Sequence, residues 1–217
     1  MRLLLARHGN TFAAGDKVVM AGVSNDLPLV PCGEEQAEEI AQALAAAKIF
    51  PEAVYCSELQ RAFRGCEIII EELGLDTFAI TDKRINEIDY GAWTGLSDEE
   101  INQKFGEESR LAWQQQSIWP TNAEWGASSE EIAKNVEDFA TDIANQYSDN
   151  ATVLVTSHGG VLRYFLKLVE GEWDARHAAQ TLKVKTGHLS SLLYKNGQWQ
   201  LEFWNVNPAY VEDEFYG

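Results

Sequence analysis

Two short apolar runs, Leu3-Leu4-Leu5-Ala6 and Val153-Leu154-Val155-Thr156, each predict a strand, and each ends at a histidine followed at once by glycine. Elsewhere the hydrophobic period changes. Between Gly33 and Lys48, residues Ala37, Ile40, Ala41 and Leu44 recur at helical spacing, and Ala53 to Cys56 then predicts a short strand. A second helix from about Glu58 places Leu59, Ala62, Phe63, Cys66 and Ile70 on one face, and Gly74 marks its end. Ile132, Val136, Phe139, Ala140, Ile143 and Tyr147 form the longest apolar stripe. Ser97 with Glu100 and Ser128 with Glu131 have the spacing of capping boxes, so a helix is predicted to start at each. Another helix is expected over Val161 to Val169, directly after the second His-Gly corner. Lys195-Asn196-Gly197-Gln198, flanked by Ser191 to Tyr194 and Trp199 to Phe203, predicts a type I′ hairpin.

Strand, helix, strand, helix is the order of right-handed parallel crossover units, which cover a sheet on both faces. The expected fold is therefore α/β, a three-layer α/β/α arrangement with a mostly parallel central sheet and a few antiparallel strands from the hairpin. A chain of 217 residues suits a single domain, 1–217. Residues 12 to 32 read as a surface loop, and 85 to 96 as an ordered, glycine-punctuated aromatic loop. Residues 97 to 127 read as a small cap insertion whose Trp113, Trp119 and Trp125 form either its own core or an apolar wall for a ligand.

Charge and cysteine content narrow the partners. A net charge of -17 disfavours nucleic acid and anionic membrane surfaces, both of which need basic patches. Cys32, Cys56 and Cys66 fit neither a disulfide framework nor a zinc pattern, so reduced thiols and a cytoplasmic location are expected. The apolar start is too short for a signal peptide, and no later run reaches a transmembrane length. The oligomeric state stays open, a homodimer included.

In an open α/β sheet, residues just past the carboxyl ends of strands line the ligand crevice, so His8 and His158 are expected in one site. Glycine after each histidine lets backbone N–H groups come close to a ligand. Arg7 offers a planar fork of donors for two phosphate oxygens, and His8 beside it is a possible nucleophile. Neutralising part of a phosphate's charge lowers the repulsion met by an attacking imidazole. Arg61, early in the second helix, can bring another guanidinium to the same crevice. His177 and His188 read as structural or surface residues, and Arg64 as a solvated one.

The chain resembles the histidine phosphatase superfamily, also called phosphoglycerate mutase-like. Five blocks in order carry the likeness. They are Leu5-Ala6-Arg7-His8-Gly9-Asn10-Thr11; Asp26-Leu27-Pro28-Leu29 with Gly33, Gln36 and Ala37; Ser57-Glu58-Leu59-Gln60-Arg61-Ala62; Glu87-Ile88-Asp89-Tyr90-Gly91-Ala92-Trp93-Thr94-Gly95; and Val155-Thr156-Ser157-His158-Gly159-Gly160. The resemblance implies that His8 becomes phosphohistidine, that Arg7, Arg61 and His158 form the phosphate pocket, and that Glu87 is the proton donor and later the base for water. Asn10, Thr11 and the N–H of Gly159 would be secondary contacts. A carboxylic acid at the bridging oxygen answers a chemical need, because an alkoxide leaves poorly at neutral pH. Asp89 is a weaker rival for that role. His158, as an imidazolium, would stabilise phosphoryl oxygens.

Family mutases carry a basic insertion for a second anionic group. Here residues 96 to 135 hold only Lys104, Arg110 and Lys134 among eight acidic residues, which favours a phosphatase acting on a small phosphoester. Mutase-type transfer is the alternative, and a non-catalytic anion-binding module a more distant one. Ala14 stands where many relatives have an asparagine near the phosphoryl group, Gly126-Ala127-Ser128 replaces Gly-Glu-Ser, and Asn135 falls near a frequent arginine. No metal or other cofactor is expected, since Arg7 and Arg61 would repel a dication among His8, His158 and Glu87.

Overall fold

The structure, a computed structural model, describes residues 1–216. A six-stranded sheet has the order β3-β2-β4-β1-β5-β6, with β1 at Arg2–Arg7, β2 at Ala53–Cys56, β3 at Ala79–Thr81, β4 at Thr152–Ser157, β5 at Leu189–Lys195 and β6 at Gln198–Val206. The strands β3, β2, β4 and β1 run parallel, and β5 and β6 are added antiparallel.

Alternation along the central strands explains the layers. Leu3, Leu5, Ala53, Tyr55, Val153 and Val155 enter one core, while Leu4, Ala6, Val54, Cys56 and Leu154 enter the other. A strand with both faces buried has no polar side, which is why these runs look uniformly apolar in the sequence. The second core is covered by α1 (Pro31–Ala46) and α2 (Gln60–Leu73), with Ala37, Ile40, Ala41 and Leu44 buried as their spacing requires. Helix α1 starts at Pro31, before Gly33, because proline fits a first helical position whose N–H needs no partner. Gly74 closes α2 in the left-handed conformation, φ 59°.

Over the first core lie α3 (Asp98–Phe105), α4 (Glu107–Gln116) and α5 (Ser129–Gln146). Both expected capping boxes form, at Ser97 and at Ser128. Helix α4 has little apolar periodicity. It is held by Arg110, whose guanidinium binds Asn102, Asp98 and Gln114, and by buried Trp113. The expected helix at 161 to 169 is instead a single α turn, α6 (Gly159–Leu162), continued as a 3-10 helix over Arg163–Leu168. The strand β3, the exposed α7 (Glu172–Ala179) and α8 (Val211–Tyr216) give no signal in the pattern: three residues are too few, and α7 buries none. The hairpin forms between β5 and β6, with positive φ at Asn196 (53°) and Gly197 (79°), as a type I′ turn demands.

The three cysteines are free, Cys32 exposed and Cys56 and Cys66 buried. Among the described residues, no helix is long and apolar enough to cross a membrane.

Candidate active site

Neighbouring parallel strands bring the two corners together. Arg7 lies in register with Ser157, and the next residues, His8 and His158, stand side by side with ring centroids 4.9 Å apart. Gly9 and Gly33 pack back to back: a Cβ on Gly9 would overlap the Gly33 carbonyl, and one on Gly33 the Asn10 backbone. Only glycine pairs allow α1 this close to the first corner.

Hydrogen bonds assign the protons on both rings. His8 Nδ1 contacts the Gly9 carbonyl at 2.7 Å, and since a carbonyl only accepts, Nδ1 carries the hydrogen and Nε2 holds the lone pair. Burial, together with the positive charges of Arg7 and Arg61, holds the His8 pKa well below 6.5 and keeps the ring neutral. His158 is the reverse. Arg61 Nε donates to its Nδ1 at 3.3 Å, so the hydrogen sits on Nε2, which is buried and has no protein acceptor. Burial, then His8, Arg61 and Arg7, lower its pKa well below 6.5 too. The imidazolium expected at His158 is thus replaced by a neutral ring that still donates from Nε2.

The arginines have different tasks. Arg7 gives Nη1 to the Val184 carbonyl at 2.7 Å, whereas its Nε is buried without a partner. Arg61, fully buried, spends donors on His158, on the Gly22 carbonyl at 2.9 Å and on the Asn25 carbonyl at 3.3 Å. It lines the cleft, yet much of its fork holds the site in shape. Glu87 accepts from Ile88 N at 3.0 Å and from Gly160 N at 3.3 Å. Asp89 accepts from Gly91 N, which commits it to the loop.

Arg7, His8, Asn10, Thr11, Arg61, Glu87 and Gly159 all line one cleft of about 890 Å³. Asn10 Oδ1 accepts from Thr186 Oγ1 at 2.6 Å. Ala14 is exposed and adds no polar group to the lining. His177 lies on α7, and His188 Nδ1 donates to the Asn205 carbonyl at 3.0 Å, so both stay outside the cleft.

Sequence reasoning missed three cations of the lining: Lys17, Arg163 and Lys183. Arg163 follows the Ser157-His158-Gly159-Gly160 block by one helical turn, a spacing that could have flagged it. Lys183 carried no signal, because only the packing of the loop before β5 against Arg7 brings it in. Trp113, Trp119 and Trp125 pack on one another and on Tyr90 or Trp93, so they are chiefly the cap's own core. Trp113 also reaches the cleft wall. Among the described residues, no group of three or more His, Cys, Asp or Glu is placed to hold a metal ion.

A neutral imidazole with a free lone pair, flanked by guanidinium groups and a second imidazole N–H at the carboxyl ends of parallel strands, belongs to the phosphoryl-handling class of α/β enzymes. The sequence matches the histidine phosphatase superfamily (branch 1) over residues 3–207, and the chain belongs to that superfamily. It is 31% identical over 170 residues to a 2,3-bisphosphoglycerate-dependent phosphoglycerate mutase of Azorhizobium caulinodans, covering 77% of this chain and 81% of that protein. Among solved structures it resembles a mycobacterial glucosyl-3-phosphoglycerate phosphatase complexed with VO3, with a TM-score of 0.78, 25% identity, and coverage of 95% of this chain and 99% of that one. It also resembles the alpha-ribazole phosphatase of Shigella flexneri, with a TM-score of 0.71, 26% identity, and coverage of 95% and 96%. The superfamily and these relatives support phosphoryl transfer or phosphoester hydrolysis.

Proposed function

We propose that the protein is a cytoplasmic phosphomonoester hydrolase that acts through a phosphohistidine on a small phosphorylated metabolite. One observation carries this reading: His8 is neutral, its Nδ1 is engaged by Gly9, and its Nε2 makes no protein hydrogen bond in the cleft. Arg7 and His158 each keep a buried N–H without an acceptor beside it, and phosphoryl oxygens would satisfy both.

In the first step, the Nε2 lone pair of His8 forms a bond to phosphorus as the bond to the ester oxygen breaks, and Glu87 gives that oxygen a proton. In the second, Glu87 takes a proton from water, the resulting nucleophile attacks phosphorus, and the P–N bond breaks to return neutral His8 and release phosphate. Asn10, Thr11 and the Gly159 N–H would contact the phosphoryl group. No metal or cofactor enters this scheme.

Hydrolysis is favoured over transfer by the acidic cap segment and by Asp16, Asp98 and Glu99 in the cleft lining, which disfavour a second anion. The mutase reading draws on the curated relative, and on Lys17, Arg163 and Lys183, three cations that enter the cleft from outside residues 96 to 135. Incubation with a panel of phosphoesters, followed for free phosphate and for isomerised ester, separates the two. Phosphate release with an acid-labile, base-stable label on His8 supports the proposal. Isomerisation of phosphoglycerate primed by a bisphosphate, with negligible phosphate release, would replace it.

A further inference from the structure

Arg163 stands where the cap meets the second His-Gly corner. It is 5% exposed, and its guanidinium lies over the Trp113 ring, 4.5 Å from the centroid. Nη1 donates to Ser117 Oγ at 2.7 Å and to the Trp113 carbonyl at 3.3 Å, both at the end of α4. Nε donates to the Gly159 carbonyl at 2.9 Å. That oxygen is the usual acceptor for the backbone N–H of Arg163 in an α-helix, but this N–H is directed to Val161 instead, and the chain tightens into its 3-10 segment here.

The Gly159 carbonyl and the Gly160 N–H belong to one planar peptide unit, so fixing one fixes the other. The Gly160 N–H in turn donates to Glu87 Oε2 at 3.3 Å. There is no slack on that side, because a Cβ on Gly160 would overlap both Glu87 Oε1 and the Tyr90 hydroxyl.

We infer that Arg163 is a positioning residue that aims the Glu87 carboxylate through the Gly159–Gly160 peptide, and that its grip on Ser117 and Trp113 makes this aim depend on a seated cap. The inference rests on the reading of Glu87 as proton donor. An arginine suits the task because its rigid fork serves three acceptors, one on the corner and two on the cap, which a single ammonium cannot do with fixed geometry.

The test uses leaving-group dependence. An alkyl phosphate needs its departing oxygen protonated, whereas p-nitrophenolate leaves with little help. Kinetics are measured with p-nitrophenyl phosphate and with the best alkyl phosphate from the panel, on the wild type, Arg163→Met, Arg163→Lys, Ser117→Ala, Glu87→Gln and the Arg163→Met/Glu87→Gln pair. Arg163→Met is expected to lower kcat for the alkyl ester about 10-fold more than for the aryl ester, with little further discrimination once Glu87→Gln is present. Arg163→Lys should recover part of that ratio, and Ser117→Ala should shift it in the same direction by about two- to fivefold.

Equal slowing of both esters by Arg163→Met, as a purely structural role would give, overturns the inference while leaving Glu87 in place. If Arg163→Met does not fold, Ser117→Ala decides, and an unchanged ratio there overturns the coupling. A Glu87→Gln variant that slows both esters alike removes the proton-donor reading, and the inference falls with it.

Discussion

At the end of β1, His8 gives its Nδ1 hydrogen to the carbonyl of the adjoining Gly9; at the end of β4, His158 receives on the same atom a hydrogen bond from Arg61, 97 residues away in sequence. Two corners that begin with the same His-Gly pair therefore hold opposite tautomers. One ring presents a lone pair to the cleft, and the other, which is not part of the cleft lining, keeps an N–H buried without a protein partner. The lesson is that a histidine's role follows from what engages its other nitrogen, and this partner can be local or remote.

Removing each ring in turn tests the contrast most strongly. His8→Ala should keep the fold, seen by circular dichroism, and lower turnover by roughly 10⁴-fold or more, since no other nucleophile is poised. Measurable phosphoenzyme in that variant would end the assignment. His158→Ala should lose about 10²–10³-fold in kcat yet still form the label at a reduced rate, as expected when one donor to a charged transition state is lost. Complete absence of label there would mean that the two rings do not differ in the way proposed.

A subtler change acts on the tautomer alone. Arg61→Lys removes the Nε–H that engages His158 Nδ1, so the ring hydrogen is no longer held on Nε2; about a 10-fold loss in kcat is expected, with the ¹⁵N shifts of His158 showing mixed tautomers. Unchanged shifts would show that Arg61 does not select the proton position.

Acid should reveal the smallest effect. Both ring pKa values are lowered by burial and by nearby cations, so the unfolded chain binds more protons than the folded one once pH drops below 6.5. Stability supplied by these neutral rings is therefore complete above about pH 6.5 and is lost as pH falls toward their folded values. Urea unfolding from pH 7 to pH 5 should show this fall, with a shallower slope in His8→Ala. A slope no different from that of the wild type would contradict a depressed His8 pKa.

Much of the architecture was legible because its signals are local. Apolar strand runs, the stripe from Ile132 to Ile143, both serine capping boxes and Asn196-Gly197 each depend on residues a few positions apart. Helix α4 and the break at Arg163 were not legible. The first is held by a polar network around Arg110, and at the second a side chain takes a carbonyl that helical pattern assigns to the backbone. The cleft shows the same division: Arg7, His8, Arg61, Glu87 and Gly159 stood out in their blocks, whereas Lys183 comes from a loop held by remote partners, with Val184 bonded by Arg7, Lys185 by Asn205 and Thr186 by Asn10.

The amino-acid sequence by itself determined the main strands and helices, though not β3, α4, α7 or α8, and which imidazoles and guanidinium groups stand near glycine in the chain, since periodicity, caps and turn residues act over short chain distances. Tertiary structure alone decided which nitrogen of each ring carries hydrogen, how burial lowers its pKa, and which cap atoms reach the second His-Gly corner. Those properties depend on folded geometry, in which groups from near and far along the chain meet where solvent is excluded and a single hydrogen bond settles the proton's place.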